Sequence, residues 1–217
     1  MFQSNVSYVH LEKSNFFSEH DLNILSEQIL TSAVYVDPVG VKISNSEGWQ
    51  SNWKNSDDFM SFHKMTEYKQ YILKFCDDWL QEHGFYLKNP NLLMKGWFNI
   101  NFPDSSNELH EHVYSWFRLN HNVIPRASSD LSAKNEQPII AGTFYIKLPT
   151  KIDDSFYFSK NSAFLHFFSY DFTQKINVKR GDTILFPSDA SHGVKPHGHS
   201  DLRISFSFNI HVERPDS

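Results

Sequence analysis

The hydrophobic pattern of the chain changes at Pro90, and this change constrains the fold more than any other feature of the sequence. Before it, apolar residues recur every three to four positions, which places them on one face of an α-helix. After it, apolar and polar residues alternate or form short apolar runs between turn formers, as in β-strands. The predicted strands are NLLMKGWFNIN, LHEHVYSWFR, IIAGTFYIKLP, AFLHFFSY, KINVKRGDTILFP and LRISFSFNIHV. The sequence therefore predicts a mainly β protein with flanking N-terminal helices.

Two helices are expected in the first part of the chain. Ser18 is a favourable N-cap because Asp21 follows it three residues later, and leucines and isoleucines then supply an apolar face. A longer helix is predicted over residues 56–83, where apolar residues again recur at steps of three and four. The turn-rich segment between the helices contains Trp49 and Trp53, which we interpret as core residues.

The chain shows no internal repeat and no linker, so a single domain is expected over residues 1–217. Within it, residues 1–90 form a helical support region and residues 91–217 form the core, a β-sandwich or barrel. One segment, Leu119 to Pro138, is polar, has no period and is too long for a hairpin turn. We expect this segment to be an irregular lid near the functional site.

Composition and charge exclude several classes of function. The formal net charge is −5 and no cluster of lysine and arginine occurs, which argues against nucleic acid as the main partner. The single cysteine, Cys76, excludes an internal disulfide and any thiolate zinc site. No apolar run approaches the ~20 residues that span a bilayer, and the N-terminus lacks the apolar core of a signal peptide. We therefore expect a cytoplasmic protein that does not enter membranes.

Two histidines of the predicted strand LHEHVYSWFR form the first candidate site. Alternation puts His110 and His112 on one face of a strand, from which both ring nitrogens can converge on one metal with bonds of ~2.1 Å. His192 is the best candidate for a third ligand, because a turn and an apolar strand precede it and would deliver it to the sheet rim. The two histidines of PHGHSD are expected to be exposed. Zinc hydro-lyases and cupins also carry H-x-H on strands, so the pattern leaves the metal open.

The last predicted strand, LRISFSFNIHV, adds an anion site to this metal site. Arg203 and Ser205 share its polar face, and Arg203 follows His192 by eleven residues, enough for a turn and a return on a neighbouring strand. The fork of a guanidinium matches a carboxylate, and a serine hydroxyl can donate to the same group. A metal beside such an anchor suggests a keto-acid co-substrate. The alternative is that Arg203 pairs with a structural carboxylate, Asp182 or Asp201.

The order of these motifs, H-x-H, AGTFYIKLP, GDTILFPSDASHGVKP and RISFSFN, resembles that of the Fe(II)/2-oxoglutarate-dependent dioxygenases. The resemblance is greatest to a phage and bacterial branch that is similar to prolyl hydroxylases, and it covers Trp97 to Ile210. It implies a double-stranded β-helix, or jelly-roll, as the core. A phage-encoded member would work in the cytoplasm of its host.

The resemblance also implies the roles of the site residues. His110, His112 and His192 would be the catalytic metal ligands, although His112 stands where the family has a carboxylate. Arg203 and Ser205 would bind the far carboxylate of 2-oxoglutarate. The cofactors would be Fe(II), 2-oxoglutarate and O2, and the reaction would couple 2-oxoglutarate decarboxylation to hydroxylation of a substrate.

Two further residues are candidates for binding the co-substrate. Tyr145 shares a face with Thr143 in AGTFYIKLP and is a candidate phenol donor, with a structural role in a β-barrel as the alternative. Asn99 in WFNIN faces inward if its strand neighbours the site.

Two other functions stay open on the sequence alone. One is a three-histidine metalloenzyme that does not use 2-oxoglutarate, such as a thiol dioxygenase or a zinc hydrolase. The other is a catalytically silent β-sandwich module that binds a sugar or a peptide. The primary substrate is equally open between a protein residue, a nucleotide and a small metabolite, and the sequence does not indicate an oligomeric state.

Overall fold

The architecture is taken from a computed structural model. It describes residues 10–12, 16–41, 47–51, 58–82, 91–110, 112, 137–149, 155–158, 175–188, 192–194, 196 and 200–213.

Two helices form the first layer of the described structure, α1 (Glu19–Tyr35) and α2 (Met65–Glu82). The predicted N-cap is confirmed, because Ser18 and Asp21 satisfy each other's backbone N–H groups in a capping box. The predicted helix over residues 56–83 is wrong at its start: residues 58–61 form a 3-10 turn and the regular helix begins only at Met65. The reason is Lys64, whose φ of 57° lies in the left-handed region and interrupts a helical path.

The described residues also form ten strands in two antiparallel sheets: β1 (His10–Glu12), β2 (Trp49–Gln50), β3 (Asn91–Asn101), β4 (Asn107–His110), β5 (Gln137–Lys147), β6 (Ser155–Phe158), β7 (Lys175–Asn177), β8 (Thr183–Pro187), β9 (His192–Val194) and β10 (Arg203–Glu213). The larger sheet has the order β1-β8-β5-β10-β3-β2, and the smaller sheet has the order β4-β9-β6-β7. The prediction of a mainly β protein with few helices is confirmed. None of the described helices is long and apolar enough to cross a membrane.

One face of the larger sheet packs against the helices and forms the core. Alternate residues of β10 are fully buried on this face, including Phe206 and Phe208, and Tyr68 of α2 stacks on Phe144 of β5 with ring centroids 4.6 Å apart. Trp49, predicted to be a core residue, is also buried. Trp53 lies outside the described residues.

Two glycines let the phenylalanine rings of this core lie across neighbouring strands. Gly96 of β3 and Gly142 of β5 both lie directly opposite Phe208 of β10. A Cβ atom at Gly142 would collide with the Phe208 ring, and one at Gly96 would collide with the Phe206 ring. Close approach of aromatic rings to backbone therefore requires glycine at both positions.

The opposite face of the larger sheet is polar over its three central strands. Ser205 of β10 lies between Asn99 of β3 and Tyr145 of β5, and Arg203 lies opposite Asn101. All five of these side chains are buried. The amphipathic pattern of the last strand is thus realised with its apolar row toward the helices and its polar row toward a cavity between the sheets.

Several predicted strand boundaries are wrong. KINVKRGDTILFP forms two strands, β7 and β8, because a turn with Gly181 at a φ of 89° separates them. In LHEHVYSWFR the structure describes Leu109, His110 and His112: the first two belong to β4, which begins two residues earlier at Asn107, and His112 lies in a bend. The other residues of this predicted strand lie outside the described residues. AFLHFFSY lies outside the described residues, as does the predicted lid except at its end. There Gln137 and Pro138 belong to β5, since they extend its ladder with β10.

Candidate metal centre

His110 and His192 face each other across two strands of the smaller sheet. His110 ends β4, His192 begins β9, and the two residues are direct partners in the antiparallel ladder. Side chains at such positions lie on the same face of a sheet and within contact distance. Their ring centroids are 4.4 Å apart accordingly. This cross-strand pairing is what brings together two residues 82 positions apart in the sequence.

His112 joins this pair by a different route from the one that alternation predicts. It lies in a bend beyond the end of β4, so the prediction that one regular strand carries both histidines is wrong. Its backbone N–H instead donates to the carbonyl of Ser188, directly after β8, at 2.9 Å. This bond holds the bend against the larger sheet and places the His112 ring over the cavity between the sheets.

The three imidazoles form a compact cluster of nitrogen donors. One ligand nitrogen from each ring can be chosen so that all three lie within 4.8 Å of one another. Nε2 of His112 is 3.0 Å from Nε2 of His192. This is the distance of a hydrogen bond between the two rings, and it is short enough for both nitrogens to bind one metal ion.

The surroundings of His112 keep its ring neutral. Burial is the main cause that lowers its pKa to about 3, electrostatic repulsion between the His110 and His112 rings adds to this effect, and a hydrogen bond with Asn209 opposes it. The ring lies between Trp97, which stacks on it at 5.8 Å between ring centroids, and His192 at 4.8 Å. A neutral imidazole is the form that binds a metal, so the cluster can hold a divalent ion without first losing a proton from this ring.

The four residues predicted to bind a co-substrate line the same cavity as the histidines. Arg203 and Ser205 are 1% and 6% exposed, and Tyr145 and Asn99 are each 2% exposed. No aspartate or glutamate occurs among the described residues of the cavity wall, which are Trp97, Asn99, Asn101, Asn107, His110, His112, Thr143, Tyr145, His192, Val194, Arg203, Ser205 and Ser207. The described part of this wall therefore combines three imidazoles and one guanidinium with mainly neutral polar side chains.

Asp182 and Asp201 are the two carboxylates that could instead pair with Arg203. Asp182 accepts a hydrogen bond from the backbone N–H of Lys179 at 2.7 Å and so closes the turn before β8. Asp201 is half-buried and lies two residues before Arg203.

The histidines of PHGHSD, which were predicted to be exposed, lie outside the described residues.

Asn209 and Trp97 contact His112, although the sequence analysis assigned neither of them a role in the site. Asn209 accepts from His112 with Oδ1 2.6 Å from Nδ1, and Trp97 stacks on the same ring. Alternation already places Asn209 on the polar face of β10 with Arg203, and Trp97 on the inward face of β3 with Asn99. Their contacts with His112 depend on the bend after β4, which no sequence pattern indicates.

Comparisons with known proteins agree with this arrangement. Residues 133–209, about a third of the chain, match a family model described as "Putative 2OG-Fe(II) oxygenase". A crystal structure of a Pseudomonas putida prolyl-4-hydroxylase superposes with a TM-score of 0.61 at 10% identity, covering 95% of this chain and 93% of that one. The resemblance to the Fe(II)/2-oxoglutarate oxygenases is confirmed. The range that matches this oxygenase family includes His192 and Arg203 but begins after His110 and His112.

Two further oxygenase structures share the fold. The viral collagen prolyl hydroxylase of Paramecium bursaria Chlorella virus-1, solved as a 2-oxoglutarate complex, has a TM-score of 0.57 at 13% identity and coverages of 96% and 98%. HygX from Streptomyces hygroscopicus, solved with nickel and 2-oxoglutarate bound, has a TM-score of 0.52 at 15% identity and coverages of 94% and 82%. No curated protein matches the sequence. At these identities the structural neighbours show a common fold.

Proposed function

We propose that the chain is an Fe(II)- and 2-oxoglutarate-dependent dioxygenase, and specifically a hydroxylase, whose two facing sheets form a jelly-roll core. The observation that carries this proposal is the placement of three histidines and a buried arginine in one cavity between the sheets. The family match and the shared fold of the prolyl hydroxylases support it.

In this proposal His110, His112 and His192 hold the metal through their ring nitrogens. The chemistry of the donor set fits, because imidazole nitrogens bind iron, cobalt, nickel, copper and zinc. His112 and His192 already have the spacing of adjacent ligands. His110 is half-buried, and its ligand nitrogen lies within 4.8 Å of the other two. When bound, Fe(II) supplies O2 activation, coupled to oxidation of 2-oxoglutarate and of the substrate.

Arg203 and Ser205 bind the distal carboxylate of 2-oxoglutarate in this proposal. The guanidinium donates two parallel hydrogen bonds to a carboxylate, and the Ser205 hydroxyl adds a third from the same strand face. Tyr145, the cross-strand neighbour of Ser205, can donate its phenol proton to the same ligand. Asn99, the neighbour on the other side, donates its amide to Ser207 at 3.0 Å and completes the polar wall.

The protein contributes orientation and exclusion of water. His192 is 4% exposed and packs against Phe186 with ring centroids 4.5 Å apart. Phe186 also meets the edge of the His112 ring at 6.5 Å. This apolar support fixes two ligand rings from behind, and the dry surroundings strengthen the charge interactions that hold the co-substrate.

Anaerobic titration of the Fe(II)-loaded protein with 2-oxoglutarate tests this proposal. Chelation of the metal by the keto-acid end gives a weak visible charge-transfer band, which we expect to appear and saturate. His192→Ala should weaken metal binding strongly and abolish the band. His63→Ala is the matched control, because His63 pairs with Asp21 far from the cavity and should leave the band unchanged.

A second candidate function follows from one specific observation, the imidazole of His112 in the place of a carboxylate. A neutral three-histidine set leaves more positive charge on the metal and also suits a thiol dioxygenase or a zinc hydrolase. Tight metal binding without a 2-oxoglutarate band would favour this candidate and contradict the first.

A further inference from the structure

We propose that Asn209 is a positioning residue that fixes the tautomer of His112 and thereby directs its Nε2 at the metal. The proposal rests on the proposed function in one respect, that His112 is a metal ligand. It concerns a residue outside the ligand set, which acts on the metal through His112.

The first support is the geometry of the contact. Oδ1 of Asn209 lies 2.6 Å from Nδ1 of His112, a short hydrogen bond. The other ring nitrogen, Nε2, lies 3.0 Å from Nε2 of His192. Nδ1 of His112 therefore contacts Asn209, whereas Nε2 faces the histidine cluster.

The second support is the difference in rigidity between the two partners. Asn209 lies in the interior of β10, where β3 and β5 pair with it on both sides, opposite Lys95 and Ala141. His112 lies in a bend outside any ladder. A fixed acceptor therefore orients a ring whose own backbone is irregular.

The chemical consequence concerns the position of one proton. An amide oxygen accepts a hydrogen bond from Nδ1 only when Nδ1 carries the proton, and a neutral imidazole then has its lone pair on Nε2. Contact with the amide NH2 group instead would favour the proton on Nε2 and block metal binding there. Outer-shell partners of this kind orient ligating histidines in metal sites and raise their basicity.

An amide differs from a carboxylate at this position because it adds no charge. Aspartate would accept the same Nδ1–H, so Asn209→Asp should preserve the tautomer and the ring orientation. Leucine has a similar volume and no acceptor, so Asn209→Leu removes the hydrogen bond while filling the space. Asn23→Leu is the matched control, because Asn23 lies on α1 outside the cavity wall and accepts a hydrogen bond from Arg180, so the same change of side chain should leave Zn(II) affinity unaltered.

The first experiment measures Zn(II) affinity by competition with a chelator. We expect Asn209→Leu to weaken Zn(II) binding about 10- to 100-fold, as for other outer-shell partners, and Asn209→Asp to stay within a few-fold of wild type. In a His112→Ala background, Asn209→Leu should cause no further loss, because its effect acts through that ring. Wild-type affinity in a folded Asn209→Leu protein, or an equal loss in the His112→Ala background, would overturn the proposal.

The second experiment needs no variant that could fail to fold. Long-range nitrogen–proton NMR spectra of the metal-free wild-type protein at neutral pH report which nitrogen of His112 carries the proton. We expect the proton on Nδ1, and a proton on Nε2 would overturn the proposal. Neither experiment uses 2-oxoglutarate. A missing charge-transfer band beside an intact Asn209 effect would therefore refute the proposed function and leave this inference standing.

Discussion

Replacement of Arg203 by leucine is the perturbation that separates a co-substrate anchor from a structural arginine. The side chain is 1% exposed and lies on the cavity wall with the three histidines. Removal of one member of a buried, hydrogen-bonded charge pair costs ~2–5 kcal/mol of binding free energy. At 1.4 kcal/mol for each factor of ten, 2-oxoglutarate should bind about 30- to 4,000-fold more weakly to Arg203→Leu.

The assay is anaerobic titration of 2-oxoglutarate into the Fe(II)-loaded variants, followed by the visible band or by calorimetry. Arg203→Lys should lose less affinity than Arg203→Leu, because the charge survives while the bidentate geometry does not. Arg180→Leu is the matched control. Its guanidinium pairs with Glu19 at 2.6 Å on the helical side of the molecule, so the same change of charge should leave 2-oxoglutarate affinity unaltered.

Two results would refute this reasoning. Wild-type affinity for 2-oxoglutarate in a folded Arg203→Leu protein would leave Arg203 as an ion-pair residue for Asp182 or Asp201. A parallel loss of bound metal would show that the substitution disrupts the histidine cluster rather than the anchor. Metal content and thermal melting of each variant therefore accompany the titration.

Two stability predictions follow from the packing of the helices on the larger sheet. Hydrogen bonds from Ser18, then from His63 and Lys64, hold the pKa of Asp21 well below its ordinary value, so its contribution is present at neutral pH and is lost as pH falls through the folded-state pKa. Asp21→Asn should lower the melting temperature at pH 7, and the difference from wild type should shrink below pH ~4; a difference independent of pH would contradict this. Gly142→Ala should destabilise the fold by ~1–3 kcal/mol in urea unfolding, because its Cβ collides with a buried ring, and an unchanged midpoint would contradict the packing described.

The long strands of this protein are predictable from sequence because their two faces differ in chemistry. β3 has the predicted bounds, Asn91 to Asn101, and β10 is displaced by one residue at each end. In β10 a strict alternation of apolar and polar side chains matches one face toward the helices and one toward the cavity. A register slip of one residue would bury the polar row in the aromatic core, so the pattern determines which face of the strand packs against the helices.

The short strands could not be predicted in the same way. β1, β2, β6 and β9 have two to four residues, which is too short for a period to appear. Their strand conformation comes from partners distant in sequence, as where β9 pairs with both β4 and β6. Lys64 is a similar case, because its left-handed backbone accompanies an ion pair with Asp21 that no local pattern indicates.

The candidate site contains residues on long strands as well as residues on short strands and in a bend. Alternation predicts that Arg203 and Ser205 share the polar face of their strand, and that Asn99 faces inward only if its strand neighbours the site. The pairing of β3 and β5 with β10 then brings Asn99 and Tyr145 onto the same wall. The histidine cluster was selected by chemistry, but its geometry depends on a cross-strand pair and on a backbone hydrogen bond from His112 to Ser188. Such non-local contacts are properties of the assembled fold.

This difference has a physical consequence for how the site is built. The proposed anchor residues lie on three long, mutually paired strands, so a ligand that they bind would meet a pre-formed surface that loses little freedom. The candidate metal ligands sit at the ends of short strands and in a bend, where backbone support is weaker. A hydrogen bond from the rigid sheet to a ring in the bend, as from Asn209 to His112, compensates for this weakness. If His112 is a metal ligand, the stability of the larger sheet thereby sets the orientation of a ring that the smaller sheet alone would leave free to turn.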